Sequence, residues 1–197
     1  MNQVFGEFDD ALQPNREYLI LGFSPSAKSI RQRWRNNGLS ANFLTDYMTT
    51  FFPADEPHRE PKRNTQSRCL EMQDAVRYIA NELLENAMKF HDDVSRQPIT
   101  IKLQLHPNRI VFWVTNSVKP EAIAPFQRFI QELLAAQPLE LYVQQLEQNA
   151  LSDEHTTSGI GLLTMMVDYK AIVGWKFTQL EQSPPVTTVT TRVQVPI

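Results

Sequence analysis

The clearest element that the hydrophobic pattern predicts is a long amphipathic helix between residues 72 and 90. Apolar residues recur there at steps of three and four, the spacing that places them along one side of a helix. They are Met72, Val76, Ile79, Ala80, Leu83, Ala87 and Phe90. At about 100° per residue, Glu82, Asn86 and Lys89 fall beside this apolar stripe, and Asn86 lies closest to its edge. Side chains in that position can be half-buried and line a cleft.

Two pairs of strands are predicted after this helix. Residues 99–105 alternate between apolar and polar, and residues 110–115 return as a more buried strand after a proline-containing turn at 106–109. These segments predict an antiparallel hairpin. Residues 171–177 and 186–195 are also typical of strands, and they are joined through a serine and two prolines.

A helical insert is predicted between the two pairs of strands. Residues 120–149 are helical in pattern and broken at Pro138, residues 152–158 are polar and expected to be mobile, and a short helix follows Gly161. The order is helix, two strands, helical insert, helix, two strands. It indicates an α+β sandwich in which helices cover one face of a mostly antiparallel sheet.

The region before the long helix predicts an N-terminal extension. A loop with three prolines and several charges, residues 53–67, shows no apolar periodicity and connects this region to the rest of the chain. We therefore divide the chain into an extension, residues 1–66, packed on a main domain, residues 67–197.

The extension itself predicts one strand and two helices. An apolar run at residues 18–23 predicts the strand. Ser26 is expected to cap a helix through Trp34, which Asn36-Asn37-Gly38 would end. Residues 43–52 predict a second helix. Its apolar residues are expected to pack in the core, and a homodimer contact is the alternative.

Composition narrows the class of protein. A chain of 197 residues that is 42% hydrophobic can bury one substantial core, and its net charge of −3 gives no case for nucleic acid or for an acidic membrane surface. Cys69 is the only cysteine, which excludes an intrachain disulfide and fits a reducing compartment. No signal peptide and no run of roughly 18–20 apolar residues is visible, so we expect a cytoplasmic protein. The four histidines lack metal-ligand spacing.

The candidate chemistry lies in two short motifs. Glu82 and Asn86 stand four residues apart, so both side chains project from one face of the predicted helix. Ser158, Gly159 and Gly161 stand where a new apolar helix begins. Each motif alone is commonly an exposed helix pair or a loop-to-helix joint. Together and in this order they match nucleotide chemistry, which uses a carboxylate base, a magnesium-capable amide and backbone donors at a helix start.

With these motifs in place, residues 70–197 resemble the GHKL superfamily, whose ATP-binding Bergerat fold is shared by gyrase, heat-shock chaperones and histidine kinases. The short format is most similar to anti-sigma-type serine kinases and to SiaB-like protein kinases of bacterial partner-switching pathways. The resemblance implies that Glu82 is the general base and that Asn86 holds a magnesium ion bridging the phosphates of ATP. It also implies that Lys89 lies near those phosphates.

The resemblance extends to two further motifs. Ser158 to Leu162, with Gly159 and Gly161, resembles the second glycine box, in which backbone amides meet phosphate oxygens. The insert from 120 to 157 occupies the position of the ATP lid. The first glycine box departs from the family, because Asn116 replaces the aspartate that accepts the adenine amino group and both glycines are missing. A threonine of the last strand often assists in the family, and Thr188 and Thr190 are the candidates.

These features predict an ATP- and magnesium-dependent kinase that phosphorylates a serine or threonine of a small regulatory partner. Two alternatives remain open. The first is a non-catalytic module in which the nucleotide, or none, sets the affinity for a partner or antagonist protein, and the altered first glycine box favours it. The second is an interaction scaffold whose pocket has been lost. His91 superficially resembles a phosphoacceptor histidine, but it is predicted to be a polar helix end.

Overall fold

The computed structural model describes residues 2–14, 16–24, 37–51, 63–151 and 159–197. The strands are β1 Asn2–Gly6, β2 Tyr18–Phe23, β3 Ile99–His106, β4 Arg109–Val118, β5 Ile172–Leu180 and β6 Val186–Pro196. The helices are α1 Asn37–Thr49, α2 Arg63–Lys89, α3 Pro120–Ala135, α4 Pro138–Leu151 and α5 Ile160–Val167. None of the helices in these ranges is long and apolar enough to cross a membrane.

The chain divides into two compact units. The larger unit comprises Met1–Ser26 and Ala87–Ile197, and the smaller unit comprises Ala27–Asn86. The larger unit therefore contains all six strands and α3 to α5, whereas the smaller unit contains α1 and nearly all of α2. The domain boundary that the sequence predicts between residues 66 and 67 stays a prediction.

A six-stranded sheet forms the centre of the larger unit. Its strand order is β1-β5-β6-β4-β3-β2, and every neighbouring pair is antiparallel. The predicted α+β class with a mostly antiparallel sheet is confirmed. Both predicted strand pairs are present, and the predicted helical insert forms α3 and α4 with the break at Pro138.

The first face of the sheet is apolar. One row across it shows why, since Val173, Val193, Phe112 and Leu103 are neighbours in register and all are at most 3% exposed. Helix α3 lies on this side, where the ring of Phe126 meets the ring of Phe177 edge-on at 5.8 Å between centroids. The buried Ile130 and Leu133 of the same helix complete the contact surface. The prediction that helices cover one face is thus also confirmed.

The second face of the sheet is crossed by the segment Glu7–Glu17, which joins β1 at one edge of the sheet to β2 at the other. We call it the crossing segment. The indole Nε1 of Trp113 donates to the Asp9 carbonyl at 2.7 Å, and Gln104 exchanges two hydrogen bonds with Gln13 at 3.0 and 3.1 Å. These bonds join the segment to the neighbouring strands β4 and β3. The crossing segment and β1 were not predicted, although β2 was.

The smaller unit contains a short helix and a long one. Helix α1 buries Ala41, Leu44 and Met48, and Nε of Arg77 on α2 donates to Oδ1 of Asn42 on α1 at 3.1 Å. The helix predicted at 43–52 is therefore present, but it begins earlier, at residue 37. Asn37 and Gly38 are the first residues of α1. The helix predicted from Ser26 to Trp34 lies outside the described residues, as does most of the loop 53–67.

Candidate functional site

The helix α2 presents the predicted pair Glu82 and Asn86 one turn apart, and both side chains are half-buried. Burial raises the pKa of Glu82 above its ordinary value of 4.5, and the nearby carboxylate of Glu85 raises it further. Both causes disfavour the charged form. A half-buried carboxyl with a raised pKa is typical of a general base or acid.

The described polar residues of α2 form no hydrogen bond with the side chain of Glu82 or Asn86. Asn81 Nδ2 donates to Glu85 Oε1 at 3.0 Å, so the second carboxylate on this stretch is satisfied by the helix itself. Glu85 is half-buried. Over the ranges that the structure describes, the side chains of Glu82 and Asn86 form no hydrogen bond. Their oxygen atoms are thus the acceptors that this helix offers to a ligand.

Lys89 lies at the exposed end of α2, with its ammonium 5.3 Å from the centre of the Phe90 ring. This cation–π contact is local and leaves the ammonium in solvent. Its predicted position near phosphates stays a prediction.

Asn116 is buried in β4, at 5% exposure, and its side chain points to the apolar first face because its register partner is Val189. Its Nδ2 donates to the Ser117 carbonyl at 2.8 Å. This bond orients the amide, and Oδ1 accepts no hydrogen bond from the residues that the structure describes. The residue can therefore accept a hydrogen bond from an amino group, as the resemblance implies.

The two candidate threonines of β6 do not lie beside Asn116, and this corrects the sequence-based hypothesis. Thr190 pairs with Thr115 across the second face at 2.8 Å between hydroxyls, and Thr188 bonds to the Thr178 carbonyl at 3.3 Å. Side chains alternate between faces, so the threonines on the face of Asn116 are Thr187 and Thr191. The strand register decides which of these threonines share a face with Asn116, and the sequence alone does not reveal the register.

Gly159 lies directly before α5 with a left-handed backbone, φ 94°. A side chain there would be strained, and a Cβ atom would also meet the Phe129 ring at 3.2 Å. The first helical bond runs from Leu163 N to the Gly159 carbonyl at 3.2 Å. The N–H groups of Gly161 and Leu162 precede that bond and are directed out of the helix start.

The Gly159 turn has no side-chain cap, so its N–H groups are the donors that an anion would meet. The Leu162 side chain is itself buried and serves the core, which leaves only its backbone for such a role. Ser158 lies outside the described residues. Glu82 and Asn86 belong to the smaller unit, whereas Lys89, Asn116 and α5 belong to the larger one.

A buried polar cluster adjoins Asn116 in the larger unit and was not predicted. Ser117 Oγ lies 3.1 Å from His91 Nδ1 and accepts a hydrogen bond from Ser95 Oγ at 2.5 Å. All three residues are at most 7% exposed. The cluster ties the chain after α2 to the end of β4. His91 is thus buried at the helix end.

The residues that the structure describes contain no group of three or more His, Cys, Asp or Glu side chains that could hold a metal ion. A magnesium ion at Asn86 would not need such a group. Magnesium commonly takes one or two protein oxygens and completes its octahedron with waters and phosphate oxygens. The donor set of α2 therefore fits a magnesium ion that arrives with a nucleotide.

Comparison with known protein families and curated proteins found no match. No protein-family model matches the chain, and no curated protein is significantly similar to it. The similarity to the GHKL superfamily therefore rests on the motifs and their order.

Proposed function

We propose that the protein binds ATP with magnesium and transfers the γ-phosphoryl group to a serine or threonine of a small regulatory protein in the cytoplasm. The observation that carries this proposal is the environment of Glu82. A carboxyl that is half-buried, has a raised pKa and forms no hydrogen bond with the described residues can take the proton of an attacking hydroxyl. A fully solvated glutamate would be neither half-buried nor raised in pKa.

Each role in the proposed reaction belongs to a named residue or to the magnesium ion. The substrate hydroxyl loses its proton to Glu82 as its oxygen attacks the γ-phosphorus, and the bond from that phosphorus to the bridging oxygen breaks to release ADP. Magnesium, held by Asn86, would neutralise charge on the phosphate oxygens. Most of the rate in such a transfer comes from positioning and electrostatics, so few protein groups need to act chemically.

The larger unit supplies the features expected to bind the nucleotide. Oδ1 of Asn116 is the acceptor for the adenine amino group, and the N–H groups before the first bond of α5 are the donors for phosphate oxygens. The two features belong to the first and second glycine boxes of the resemblance. They support the proposal independently of Glu82.

A non-catalytic, nucleotide-gated binding module is the second candidate. The observation that favours it is Asn116 itself, since a neutral amide forms a weaker hydrogen bond than the aspartate of the family. Such a module would bind its partner or antagonist protein with an affinity set by the nucleotide, and it would not need Glu82.

Calorimetric titration with ATP and magnesium tests the proposal, with Asn86→Ala as the variant. We expect binding in the micromolar range that requires magnesium and is lost in Asn86→Ala. Asn81→Ala, on the same helix, is the matched control and should retain binding. No binding up to millimolar ATP would overturn the proposal and leave a nucleotide-independent interaction module.

A further inference from the structure

A cluster of basic residues, three arginines and one histidine, lies near the turn between β3 and β4. His106 and Arg109 are register partners across that turn, and Arg192 on β6 shares their face. Arg16 lies in the crossing segment, and after burial its charge, with those of Arg109 and Arg192, lowers the pKa of His106. We call these four residues the arginine cluster.

Two buried donors of the arginine cluster have no acceptor among the described residues. Arg192 is 8% exposed, and its two terminal nitrogens donate to the Glu7 carbonyl at 3.2 Å and to Gln194 Oε1 at 2.9 Å. Its Nε remains buried without a partner in the described part of the chain, and so does Nε of the half-buried Arg109. Unpaired buried donors are rare and commonly mark a missing ion or water.

The cluster also lacks a paired counter-ion. Within the described ranges, Arg16, Arg109 and Arg192 form no ion pair with a carboxylate. Glu7 and Asp9 act on Arg192 only at longer range. Burial, followed by the charges of the three arginines, lowers the pKa of His106, so the imidazole is neutral at neutral pH. Buried guanidinium groups are normally paired, because desolvation of an unpaired charge is costly.

We propose that the arginine cluster binds a phosphate group, either as free phosphate or as a phosphate monoester. Arginine matches this ligand because its planar fork donates two parallel hydrogen bonds to neighbouring oxygens. A divalent oxyanion would offset the excess of positive charge and would accept from the unpaired Nε groups. Arg16, which is exposed, would close the site from the solvent side.

This site is separate from the proposed ATP site. Arg192 pairs in register with Trp113, whereas Asn116 lies on the opposite face of the same sheet. Substitution of Asn116 should therefore leave phosphate binding at the arginine cluster unchanged. Failure of either proposal can be recognised without reference to the other.

The test follows the His106 imidazole by NMR during pH titration of the full chain, in sodium phosphate and in sodium chloride of equal ionic strength. An anion beside the imidazole favours its charged form, so phosphate should raise the pKa of His106 toward its ordinary value, whereas chloride should not. Equal ionic strength is needed because general screening weakens the repulsion from the arginines as well.

Two variants measure the contribution of the arginines. We expect Arg109→Gln and Arg16→Gln each to weaken phosphate binding about tenfold or more, the loss of one hydrogen bond to a charged group. Arg128→Gln removes the same charge from an exposed position on α3 and should have no effect. Arg16 is exposed, so its variant should fold even where a change at the more buried arginines does not.

Inorganic phosphate and O-phosphoserine distinguish the two sources of the ligand. Tighter binding of the monoester would indicate a phosphorylated ligand, and equal binding would indicate the free ion. An identical pKa of His106 in phosphate and chloride would overturn the proposal, because water would then satisfy the two buried donors. Unchanged phosphate affinity in both arginine variants would also overturn it.

Discussion

Asn81 donates a hydrogen bond to Glu85 at 3.0 Å across one turn of α2, and Glu82 between them has no such partner among the described residues. The carboxyl groups of Glu82 and Glu85 therefore have different surroundings. Glu85 is held by the helix, while the pKa of Glu82 is raised by burial and by the charge of Glu85 itself. This difference is a reason to assign the chemistry to Glu82.

Glu82→Gln is predicted to abolish phosphoryl transfer while leaving ATP bound. Glutamine keeps the size of the side chain but cannot take a proton, and loss of a general base commonly costs about 10²–10⁴-fold in rate. Transfer of labelled phosphate and calorimetric ATP binding measure the two properties. Glu71→Gln, an exposed carboxylate of the same helix, is the control. Unchanged transfer in Glu82→Gln would rule out the assigned base.

The same substitution is predicted to stabilise the fold at neutral pH. Because the folded-state pKa of Glu82 lies above its ordinary value of 4.5, the folded protein holds this proton more tightly than the unfolded chain does. The free energy of unfolding should therefore decrease as the pH rises from 4.5 through the raised pKa. Glutamine does not ionise and avoids this loss.

Urea unfolding of the native protein and of Glu82→Gln at several pH values measures this effect. The variant should be the more stable of the two at neutral pH, and its advantage should shrink as the pH falls below the raised pKa. An advantage that is independent of pH would show that the carboxyl is not desolvated in the folded protein.

Asn116→Asp is predicted to tighten ATP binding about fivefold, since a charged acceptor contributes about 1 kcal/mol more than a neutral one. The same change removes the Nδ2 donor from the Ser117 carbonyl and places a carboxylate at a buried position, so it should lower stability by several kcal/mol. Calorimetry and urea unfolding measure the two effects separately. Asn108→Asp, at the exposed β3–β4 turn, is the control. Weaker ATP binding in Asn116→Asp would remove Asn116 from the adenine contact.

The elements that the sequence predicted correctly are those whose own residues show a regular hydrophobic pattern. The alternation of residues 99–105 and the three- and four-residue spacing of α2 need no distant partner to be recognised. β1 was missed because it has five residues, and its pairing with β5 joins residues about 170 positions apart. The crossing segment was missed for a similar reason, since its contacts are almost all with distant strands.

The same distinction between local and distant information applies to the candidate site. Glu82, Asn86 and Gly159 could be proposed from the sequence because their spacing and their position at helical elements are visible there. Thr188 and Thr190 were chosen wrongly because the face of a strand residue depends on register with its neighbours. The polar cluster of His91 and Ser117 joins residues 26 positions apart and has no local pattern.

Gly159→Ala is predicted to destabilise the larger unit by about 1–3 kcal/mol, since alanine is strained in the left-handed backbone conformation. The added methyl would also lie 3.2 Å from the Phe129 ring. Gly38→Ala is the control, because nothing lies within 4 Å of a Cβ there and alanine favours the helix by about 0.5–1 kcal/mol. Urea unfolding measures both changes. Equal stability of Gly159→Ala and the native protein would mean that α5 does not begin at a left-handed residue.

Gly174→Ala is predicted to displace the crossing segment from the sheet. A Cβ atom on Gly174 would lie 2.3 Å from the Glu7 carbonyl oxygen, a backbone atom that cannot move without moving the segment. The segment is joined to the sheet by the bonds of Trp113 and Gln104, so overpacking should cost about 1–3 kcal/mol.

Hydrogen exchange locates the change that Gly174→Ala causes. Protection should fall at the Leu105 amide, which donates to the Glu17 carbonyl at 2.9 Å, and should persist at the centre of β4. Gly22→Ala on β2 is the matched control, since open space surrounds that position. Native protection at Leu105 in Gly174→Ala would show that the crossing segment does not depend on close approach at Gly174.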